Sequence, residues 1–565
     1  MISVSGKQWE ERKISKNLVE KLKQDYKFSE IISKLIISRN FDNAEISSIE
    51  NKPHLINIFK NNSDFNQSIN LLCESINKKE NICILGDYDV DGSVATSLLV
   101  NFFQHIKQPF FYYIPDRVKD GYGASKVLFE KLIKKKPKLI IMVDCGSTSI
   151  EALDFLNKNK IKSIIIDHHE INKPYPKANI IINPKKDNGY IEYNYLCASA
   201  LVYFFIDLLI KKIESSFDIK KYLIHVLLAT VCDVMPLRKL NRFISMSALE
   251  NFDINENEVF YELYKLSNKN NKINIGDLGF LIGPILNSGG RLGKSSYATE
   301  LLTSNKYDVI KKRAAELFFL NQKRREIETT IINEVDFKKI EKENKDIIIY
   351  YNPIINEGLI GIIAARLNDY FNKPAIVITN SNDNLKGSAR SIIDFNIGQV
   401  IKKALDEKII ISGGGHNMAA GFTLNKDKLK TFENFIYKDY STKSASIKNN
   451  FFTYDSEISS LALNQIFFDD IKIIGPFGTG NPLPTFLIKD LKIIKNSIIK
   501  DKHISTILKS KTGFSIKSIC FNSINTKIGE YLLGYKKNLN FVGQINENFW
   551  NNKSSLQLTI KDLIL

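Results

Sequence analysis

Short apolar runs alternate with segments of helical length over the middle of the chain. The runs NICILG (81–86), KLIIMV (138–143) and KSIIID (162–167) are apolar at most positions and rich in β-branched residues. Strands have this composition when both of their faces are buried, as in a parallel sheet covered by helices. The pattern therefore predicts a doubly wound, parallel α/β sheet.

Three further patterns divide the rest of the chain. Residues up to about 75 are mostly helical in pattern, a charged helical stretch before residue 340 predicts a long connecting helix, and 346–379 repeat the order strand, helix, strand. From about 450 the runs are short and alternate with turns, which is typical of a small antiparallel barrel or sandwich. We therefore predict five segments, with bounds 1–75, 76–250, 251–340, 341–440 and 450–565.

The chain is basic. Its 79 Lys and Arg exceed its 62 Asp and Glu, which gives a formal net charge of +17 over 565 residues. A surplus of this size suits a polyanionic partner such as nucleic acid. The sequence is also heavy in Lys, Asn and Ile, which a codon bias toward A and T produces without selection for binding. Composition alone leaves both explanations open.

Cysteine usage and hydropathy predict a cytoplasmic protein that does not cross a membrane. The six cysteines form no C-x-x-C pair and mostly lie in apolar runs, which favours reduced thiols over disulfides or a zinc site. The first residues are charged where a signal peptide is apolar. The most apolar stretch, 195–210, includes Asp207 and falls short of the roughly 20 residues that span a bilayer.

Acidic and imidazole side chains follow the predicted strands of the first sheet, and one more ends an apolar helical pattern. They are Asp87, Asp89, Asp91, Asp144, Asp167, His168, His169 and Asp233. In open α/β sheets, ligands bind beyond the carboxyl ends of the strands. A single acidic residue there is more often a turn or a helix cap. Several at one edge favour a site for Mn²⁺ or Mg²⁺, and their number favours two ions.

Four motifs carry a resemblance to a known superfamily. The chain resembles the DHH phosphoesterases in four motifs, which are, in order, DYDVDG, VDCGS, DHHE and TVCDVMPL. Within that superfamily the chain is similar to the RecJ family of exonucleases from about Trp9 onward. Further matching motifs are NSGGRLG (287–293), EGLIGIIAARL (357–367), KGSARS (386–391), GGGHNMAAGF (413–422) and IGPFGTGNPLPTF (474–486). The resemblance implies a DHH-type catalytic sheet, a smaller α/β domain that binds substrate, and an OB-like β-barrel that binds nucleic acid.

The resemblance also implies roles for individual residues. It implies two divalent ions, Mn²⁺ or Mg²⁺, with metal ligands Asp89, Asp91, Asp144, His168 and Asp233. It implies catalytic roles for Asp87, as a ligand or a neighbour of one, and for His169 beside the scissile phosphate. Leu85 stands where many smaller members have a metal-binding histidine, so the ligands of one ion stay open.

Two further groups of residues are implied to contact DNA. For the phosphate-binding pocket they are Arg117, Arg291, Ser388, Arg390, His416, Gly414 and Gly415, although the glycine segment is also compatible with a flexible loop. On the barrel they are Lys500, Lys502, His503, Phe521 and Trp550, whose aromatic members are equally compatible with barrel core.

The activity implied by the resemblance is a metal-dependent 5′-to-3′ exonuclease that hydrolyses single-stranded DNA to 5′-mononucleotides in DNA repair and recombination. A narrow passage between the two α/β domains would admit one strand and exclude a duplex. We expect a monomer that works with a helicase and a single-strand-binding protein. Two alternatives remain: a phosphoesterase of short oligonucleotides, cyclic dinucleotides or pyrophosphate, and a non-catalytic replication scaffold.

Overall fold

The computed structural model describes residues 1–51, 55–116, 120, 123–186, 190–392, 395–444, 451–534, 537–550 and 553–565. Within these ranges the strands form a two-stranded pair, two five-stranded sheets and a six-stranded sheet. Arg117 lies outside the described residues, as does the side chain of Trp550. No described helix is both long and apolar enough to cross a bilayer.

The first segment is mostly helical, and it begins with a strand. Its elements are β1 (Gln8–Glu11), α1 (Lys16–Tyr26), α2 (Glu30–Ser38), α3 (Asn43–Glu50) and α4 (Ser63–Asn77). Helix α3 starts with a capping box, in which the side chain of Asp42 accepts from the backbone of Glu45 and the side chain of Glu45 accepts from the backbone of Asp42.

The next segment contains the predicted parallel sheet. Its elements are β2 (Ile82–Leu85), α5 (Val90–His105), β3 (Phe110–Tyr113), α6 (Lys126–Leu132), β4 (Leu139–Val143), α7 (Ile150–Lys158), β5 (Lys162–Ile166), β6 (Ile180–Ile182), α8 (Ala198–Ile213), α9 (Leu223–Cys232) and α10 (Lys239–Asn251). The strand order is β3-β2-β4-β5-β6, with every pair parallel. The carboxyl ends of the strands therefore share one edge.

Helices cover both faces of this sheet, which confirms the doubly wound arrangement. Ile82 and Ile84 point into a core shared with α5, α8 and α9. Cys83 and Leu85 point to the other face, where α6 and α7 pack. Successive strand residues alternate between the faces, and because both faces are covered, both sets must be apolar.

A helical connector follows, and its longest helix links the two α/β parts. Its elements are α11 (Glu258–Leu266), α12 (Ile275–Asp277), a π-helical turn (Leu278–Ile282), α13 (Gly283–Arg291), α14 (Tyr297–Thr303), α15 (Tyr307–Glu334) and α16 (Phe337–Glu343). Helix α15 has 28 residues, so it spans roughly 40 Å at 1.5 Å per residue. Its Leu317 packs in the first core, and its Ile331 packs in the core of the second α/β part.

The second α/β part has a mixed sheet. Its elements are β7 (Ile348–Tyr351), α17 (Ile360–Phe371), β8 (Ala375–Ser381), β9 (Asn384–Arg390), α18 (Ile397–Asp406), β10 (Ser412–His416), β11 (Ala419–Asn425) and α19 (Leu429–Ser444). The strand order is β10-β11-β9-β8-β7, and only β7 and β8 run parallel. The glycine segment at 413–415, which the sequence left as a flexible loop or a phosphate-binding segment, is an edge strand of a hairpin.

The last part is a barrel. Its elements are β12 (Phe451–Tyr454), β13 (Ser456–Ile458), α20 (Gln465–Lys472), β14 (Phe486–Ile499), β15 (His503–Ser510), β16 (Ser515–Cys520), α21 (Lys527–Gly534), β17 (Leu539–Trp550) and β18 (Lys553–Ile564). Pairing of β14 with β17 closes the strands β14, β15, β16, β18 and β17 into a ring. The sequence predicted an antiparallel barrel or sandwich. The structure is the barrel, and its pair β16 and β18 is parallel.

Candidate metal and phosphate site

The predicted acidic and imidazole side chains meet at the carboxyl edge of the parallel sheet. Three groups each bring potential ligand atoms within 4.8 Å of one another. The groups are Asp87 with Asp89 and Asp144; Asp91 with His168 and Asp233; and Asp144 with His168 and His169. Asp144 and His168 each belong to two groups, so the three form one continuous cluster.

Asp144 lies at the centre of the cluster. It directly follows β4 and has a left-handed backbone, with φ of 59°, a conformation that aspartate tolerates better than most residues. Both of its carboxylate oxygens are buried, and neither has a hydrogen-bond partner among the described residues. Burial, and then the negative charges of Asp91 and Asp89, raise the pKa of Asp144 well above its usual range. A charged carboxylate there requires a cation.

Two carboxylates are held by helix starts. Asp89 is the N-cap of α5 and accepts a hydrogen bond from the backbone N–H of Gly92 at 3.0 Å. Asp91 accepts at both oxygens, from the backbone N–H groups of Ala198 and Ser199 at 2.8 Å each, where α8 begins. The start of α8 thus fixes the orientation of one ligand from outside the sheet.

His168 lies between three carboxylates. Its Nε2 is 3.4 Å from an oxygen of Asp144, 3.5 Å from one of Asp233 and 3.7 Å from one of Asp91. Burial lowers the pKa of His168 to about 4, so the imidazole is in the neutral form that binds metals. Burial, and then Asp91 and Asp89, raise the pKa of Asp233 to about 8.

The donor set fits hard or borderline divalent cations. It consists of carboxylate oxygens with one neutral imidazole and one further histidine, and it includes no thiolate. The unpartnered oxygens of Asp144, together with the unpartnered Oδ2 of Asp233, are the atoms that such cations would satisfy. Leu85 is buried against the α6 face of the sheet and takes no part in the cluster.

His169 is oriented by its neighbour Asp167. Nδ1 of His169 is 2.7 Å from Oδ1 of Asp167, and this oxygen also accepts from the backbone N–H of His168 at 2.8 Å. Burial by itself lowers the pKa of His169, but the charge and hydrogen bond of Asp167, together with the charges of Asp89 and Asp233, outweigh it and raise the pKa to about 9. His169 therefore carries a positive charge at the margin of the cluster.

Ser388 and Arg390, on β9, form a second polar group beside the start of α17. Nη1 of Arg390 is 3.4 Å from Oγ of Ser388 and donates to the carbonyl oxygen of Ala389 at 2.9 Å. Among the described residues, no carboxylate pairs with this guanidinium, and burial lowers its pKa. A half-buried arginine without a carboxylate partner is suited to binding an anion.

Glycines allow close packing both at this group and beside the carboxylate cluster. A Cβ on Gly361 would lie 3.1 Å from Oγ of Ser388 and 3.2 Å from Nη2 of Arg390. A Cβ on Gly290 would lie 2.7 Å from the carbonyl oxygen of Tyr88, which is next to Asp87. Helix α13, which ends at Arg291, therefore lies directly against the loop that carries the first carboxylates.

The β10 hairpin lies beside His169. Nδ1 of His416 is 4.0 Å from a carboxylate oxygen of Glu170, and the charge of His169 contributes to lowering the pKa of His416, although burial contributes most. Close packing explains the glycine at position 415, since a Cβ there would lie 2.3 Å from the carbonyl oxygen of Ala419. Gly414 has no described atom within 4 Å of a Cβ and faces open space.

The predicted DNA contacts on the barrel form a separate group at the β14–β15 turn. Lys500 and Lys502 lie in this turn, and Nδ1 of His503 accepts from the backbone N–H of Asn522 at 2.9 Å. The ring of Phe521 packs edge-on against His503 and is 54% exposed. Phe521 is therefore a surface aromatic and does not belong to the barrel core.

Two polar residues near the cluster were not singled out from the sequence. Asn183 donates to Oγ of Ser147 and to the carbonyl oxygen of His169, both at 2.9 Å. Lys185 pairs with Glu170 at 3.0 Å, and its charge acts on Asp233 and His168. Both follow β6, so the rule that ligands lie beyond strand ends would have found them had this three-residue strand been recognised.

Comparisons with known proteins identify the parts of the chain. Three family models match: the DHH family N-terminal domain over residues 81–230, the DHHA1 domain over 344–440 and the RecJ OB domain over 454–562.

The curated relatives span most of the chain. It is 30% identical over 518 residues to the single-stranded-DNA-specific exonuclease RecJ of Haemophilus influenzae, which covers 87% of this chain and 89% of that protein. The RecJ of Bacillus subtilis is 27% identical and covers 99% of this chain and 71% of its own length.

A solved structure has the same fold. The crystal structure of RecJ in complex with Mn²⁺ from Thermus thermophilus matches with a TM-score of 0.81 at 20% identity, over 99% of this chain and 79% of that one. The same protein in complex with Mg²⁺ matches with a TM-score of 0.74 at 18% identity, over 98% of this chain and 78% of that one.

Proposed function

The chain belongs to the RecJ family of single-stranded-DNA-specific exonucleases, and we propose that it hydrolyses single-stranded DNA from the 5′ end, releasing 5′-mononucleotides with the help of two divalent ions, Mn²⁺ or Mg²⁺. The observation that carries this proposal is the cluster around Asp144, whose buried, unpartnered carboxylate oxygens adjoin two further potential ligand groups. A non-catalytic scaffold would have no need to bury this charge.

We propose that Asp89, Asp91, Asp144, His168 and Asp233 hold the ions, with Asp87 as a ligand or its neighbour. Bound divalent ions lower the pKa of a water molecule and stabilise charge on phosphoryl oxygens. The neutral imidazole of His168 is ready to bind metal, and the backbone N–H groups of α8 keep Asp91 aimed at its neighbours.

His169 has a different role in this proposal. Its protonated imidazole, held by Asp167, donates to an oxygen of the scissile phosphate and stabilises the negative charge that grows there in the transition state. Because Asp167 orients the ring through Nδ1, the Nε2–H is the donor that faces substrate.

The polarity of digestion follows from the second polar group. Arg390 and Ser388 bind the terminal 5′ phosphate, together with Arg291, His416 and Arg117. The packing of Gly290 on Tyr88 and of Gly358 on Arg291 supports this, because it links the carboxylate loop through α13 to the segment before α17, whose Gly361 lies against Ser388 and Arg390. A phosphate bound there leaves the first phosphodiester at the cluster, so one nucleotide is released per cut.

Selection of a single strand is proposed to be steric. A cavity of about 530 Å³ lies where the first α/β part, α15 and the second α/β part meet, bordered by Cys232, Arg291, Arg324 and Ile362. Arginines line this passage, and two of them, Arg324 and Arg366, pair with Glu328. The barrel carries a separate basic group at Lys500 and Lys502. Such a surface suits the phosphates of one strand.

The cellular setting belongs to the proposal as well. We propose that the protein acts as a monomer in the cytoplasm, in DNA repair and recombination, on strands that a helicase and a single-strand-binding protein make available. Family membership supports this setting.

The test uses a single-stranded DNA of a few tens of nucleotides, labelled at its 3′ end, with and without Mn²⁺. We expect a metal-dependent ladder that shortens from the 5′ end, no product from a blunt duplex, and slower digestion of a strand without a 5′ phosphate. Hydrolysis of a dinucleotide but not of the long strand would instead identify a phosphoesterase of short oligonucleotides. No hydrolysis by folded, metal-loaded protein would identify a scaffold.

A further inference from the structure

The loop that follows Asp233 has an unfavourable backbone conformation. Val234 has φ of 57°, and its side chain is 65% exposed, so burial does not compensate. A β-branched residue rarely adopts this left-handed conformation. Such strain persists only where the surrounding structure holds it in place. Here the end of α9 holds it, because the backbone N–H of Val234 donates to the carbonyl oxygen of Val231 at 3.2 Å and that of Met235 donates to the carbonyl oxygen of Thr230 at 3.0 Å. The structure that holds the residues after Met235 therefore bears on the end of α9 and on Asp233.

The residues after Met235 are held by a turn that belongs to the barrel part of the chain. The backbone N–H of Leu237 donates to the carbonyl oxygen of Thr479 at 2.7 Å. The turn closes on itself, since Gly478 donates to the carbonyl oxygen of Asn481 at 2.9 Å and Asn481 donates back at 3.1 Å. We call residues Gly478–Asn481 the clamp turn.

Two glycines allow the clamp turn to lie against the loop. A Cβ on Gly480 would lie 2.8 Å from Cβ of Pro236 and 3.0 Å from Cγ of Arg238, and its φ of 75° already disfavours a side chain. A Cβ on Gly478 would lie 2.6 Å from Cδ1 of Leu237. Any side chain at either position would push the loop away from the barrel.

The clamp turn is itself fixed to the catalytic part. Arg242 on α10 is fully buried and donates to the carbonyl oxygens of Ile474 at 2.7 Å and Ile473 at 3.3 Å. The side chain of Asn481 donates to the carbonyl oxygen of the same Ile474 at 2.8 Å. The turn, α10 and the loop between them therefore form one rigid unit.

We propose that the clamp turn is a positioning element of the metal cluster: by holding the residues from Pro236 to Arg238, Gly478 and Gly480 fix the segment that follows the end of α9 and so keep Asp233 where it completes the group with Asp91 and His168. This inference rests on the proposed function. It gives the barrel a role apart from DNA binding, because part of one ion's site is set by a segment that is distant in the sequence.

The test is Gly480→Ala, with Mn²⁺ binding to metal-free protein measured by calorimetry and by the electron paramagnetic resonance of free Mn²⁺. Loss of a supporting contact around metal ligands typically costs 10- to 100-fold in metal affinity, so we expect about a tenfold weaker affinity for one of the two ions. Activity should fall at limiting Mn²⁺ and recover at excess Mn²⁺, while KM for DNA is unchanged.

Gly513→Ala is the matched control. Gly513 lies in the same part of the chain with φ of 88°, and a Cβ there has no described atom within 4 Å. This variant imposes the same kind of backbone strain without touching the loop. It should lose stability and keep the Mn²⁺ affinity of the unmodified protein.

Each outcome bears on the inference. The inference is overturned if the Gly480→Ala variant binds Mn²⁺ as tightly as the unmodified protein. It is also overturned if Gly480→Ala and Gly513→Ala lose the same amount of Mn²⁺ affinity. If Gly480→Ala does not fold, Gly478→Ala serves instead, because its obstacle is the flexible end of Leu237, and a smaller shift in the same direction is expected. If the unmodified protein itself binds no Mn²⁺, the proposed function is contradicted, and this inference fails together with it.

Discussion

Arg291 donates from Nη1 to the carbonyl oxygen of Gly358 at 3.1 Å, which joins the end of α13 to the segment before α17. The two residues also meet through their backbones, since a Cβ on Gly358 would lie 2.3 Å from the carbonyl oxygen of Arg291. Through this contact the part that carries the carboxylate cluster and the part that carries Ser388 and Arg390 keep a fixed distance.

Gly358→Ala should separate these two parts. The added methyl group cannot avoid the backbone of Arg291, so the second α/β part must shift relative to the metal cluster. A displacement of about 1 Å can cost 100-fold in rate, so we expect a loss of about that size in kcat/KM on 5′-phosphorylated strands. Gly534→Ala, where a Cβ has no described atom within 4 Å, is the control. Equal rates in the two variants would contradict this prediction.

Arg390→Lys should reduce the preference for a 5′ phosphate. Lysine keeps the charge but lacks the planar fork that binds two phosphate oxygens at once. The measurement is the ratio of kcat/KM on phosphorylated and unphosphorylated strands, which we expect to fall toward one. Arg12→Lys, at a 43% exposed side chain paired with Asp455, should leave the ratio unchanged. An unchanged ratio in Arg390→Lys would remove this residue from the phosphate pocket.

Asp144→Asn should abolish hydrolysis and stabilise the protein when metal is removed. Burial raises the pKa of Asp144, so its charged form opposes folding in the absence of cations. In EDTA we expect Tm to rise by about 2–4 °C, the shift that 1 kcal/mol produces in a domain of 150–250 residues. Mn²⁺ should raise Tm of the unmodified protein only. A lower Tm of the variant in EDTA would contradict the assignment.

Glu45→Gln should weaken the packing of α3 on α10 in a pH-dependent way. Burial alone raises the pKa of Glu45, but bonds from Arg238 and from the backbone N–H of Lys239 outweigh it, and the net shift is downward. A lowered pKa stabilises the fold above the usual carboxyl range, and this contribution is lost as the pH falls through the folded-state value. Hydrogen bonds to charged groups contribute about 2 kcal/mol, so we expect that loss in the free energy of unfolding at pH 7.

The measurement is urea unfolding of both proteins at a series of pH values. The difference between them should shrink as the pH falls below about 4, the ordinary carboxyl range. Glu326→Gln, at an exposed carboxylate on α15, is the control. A difference that stays constant down to about pH 3 would show that the charge of Glu45 is not what stabilises this contact.

The sequence was informative wherever a local pattern decides the structure. The buried strands β2, β4 and β5 were predicted because covered parallel strands must be apolar on both faces. The side chains that follow them were found together because parallel strands end at one edge. The long helix α15 was predicted because its charged face and apolar stripe repeat with the helical period.

Features that depend on distant partners were not predicted. Strand β6 has three residues, too few for a pattern, and Lys185 was missed with it. Strand β10 is mostly glycine, so it has no alternation of side chains to read, and its pairing with β11 decides its conformation. The contact between Leu237 and Thr479 joins residues that no local pattern connects.

The contact between β1 and the last strand of the barrel limits when the new chain can finish folding. Its Trp9 donates to the carboxylate of Asp562 at 2.9 Å, across 553 positions of sequence. At about 5–20 residues per second, ribosomes need roughly half a minute to two minutes to synthesise that span. Trp9 therefore remains without its final partner while the parallel sheet can already fold, and protease susceptibility near this residue should disappear last in pulse-labelled nascent chains.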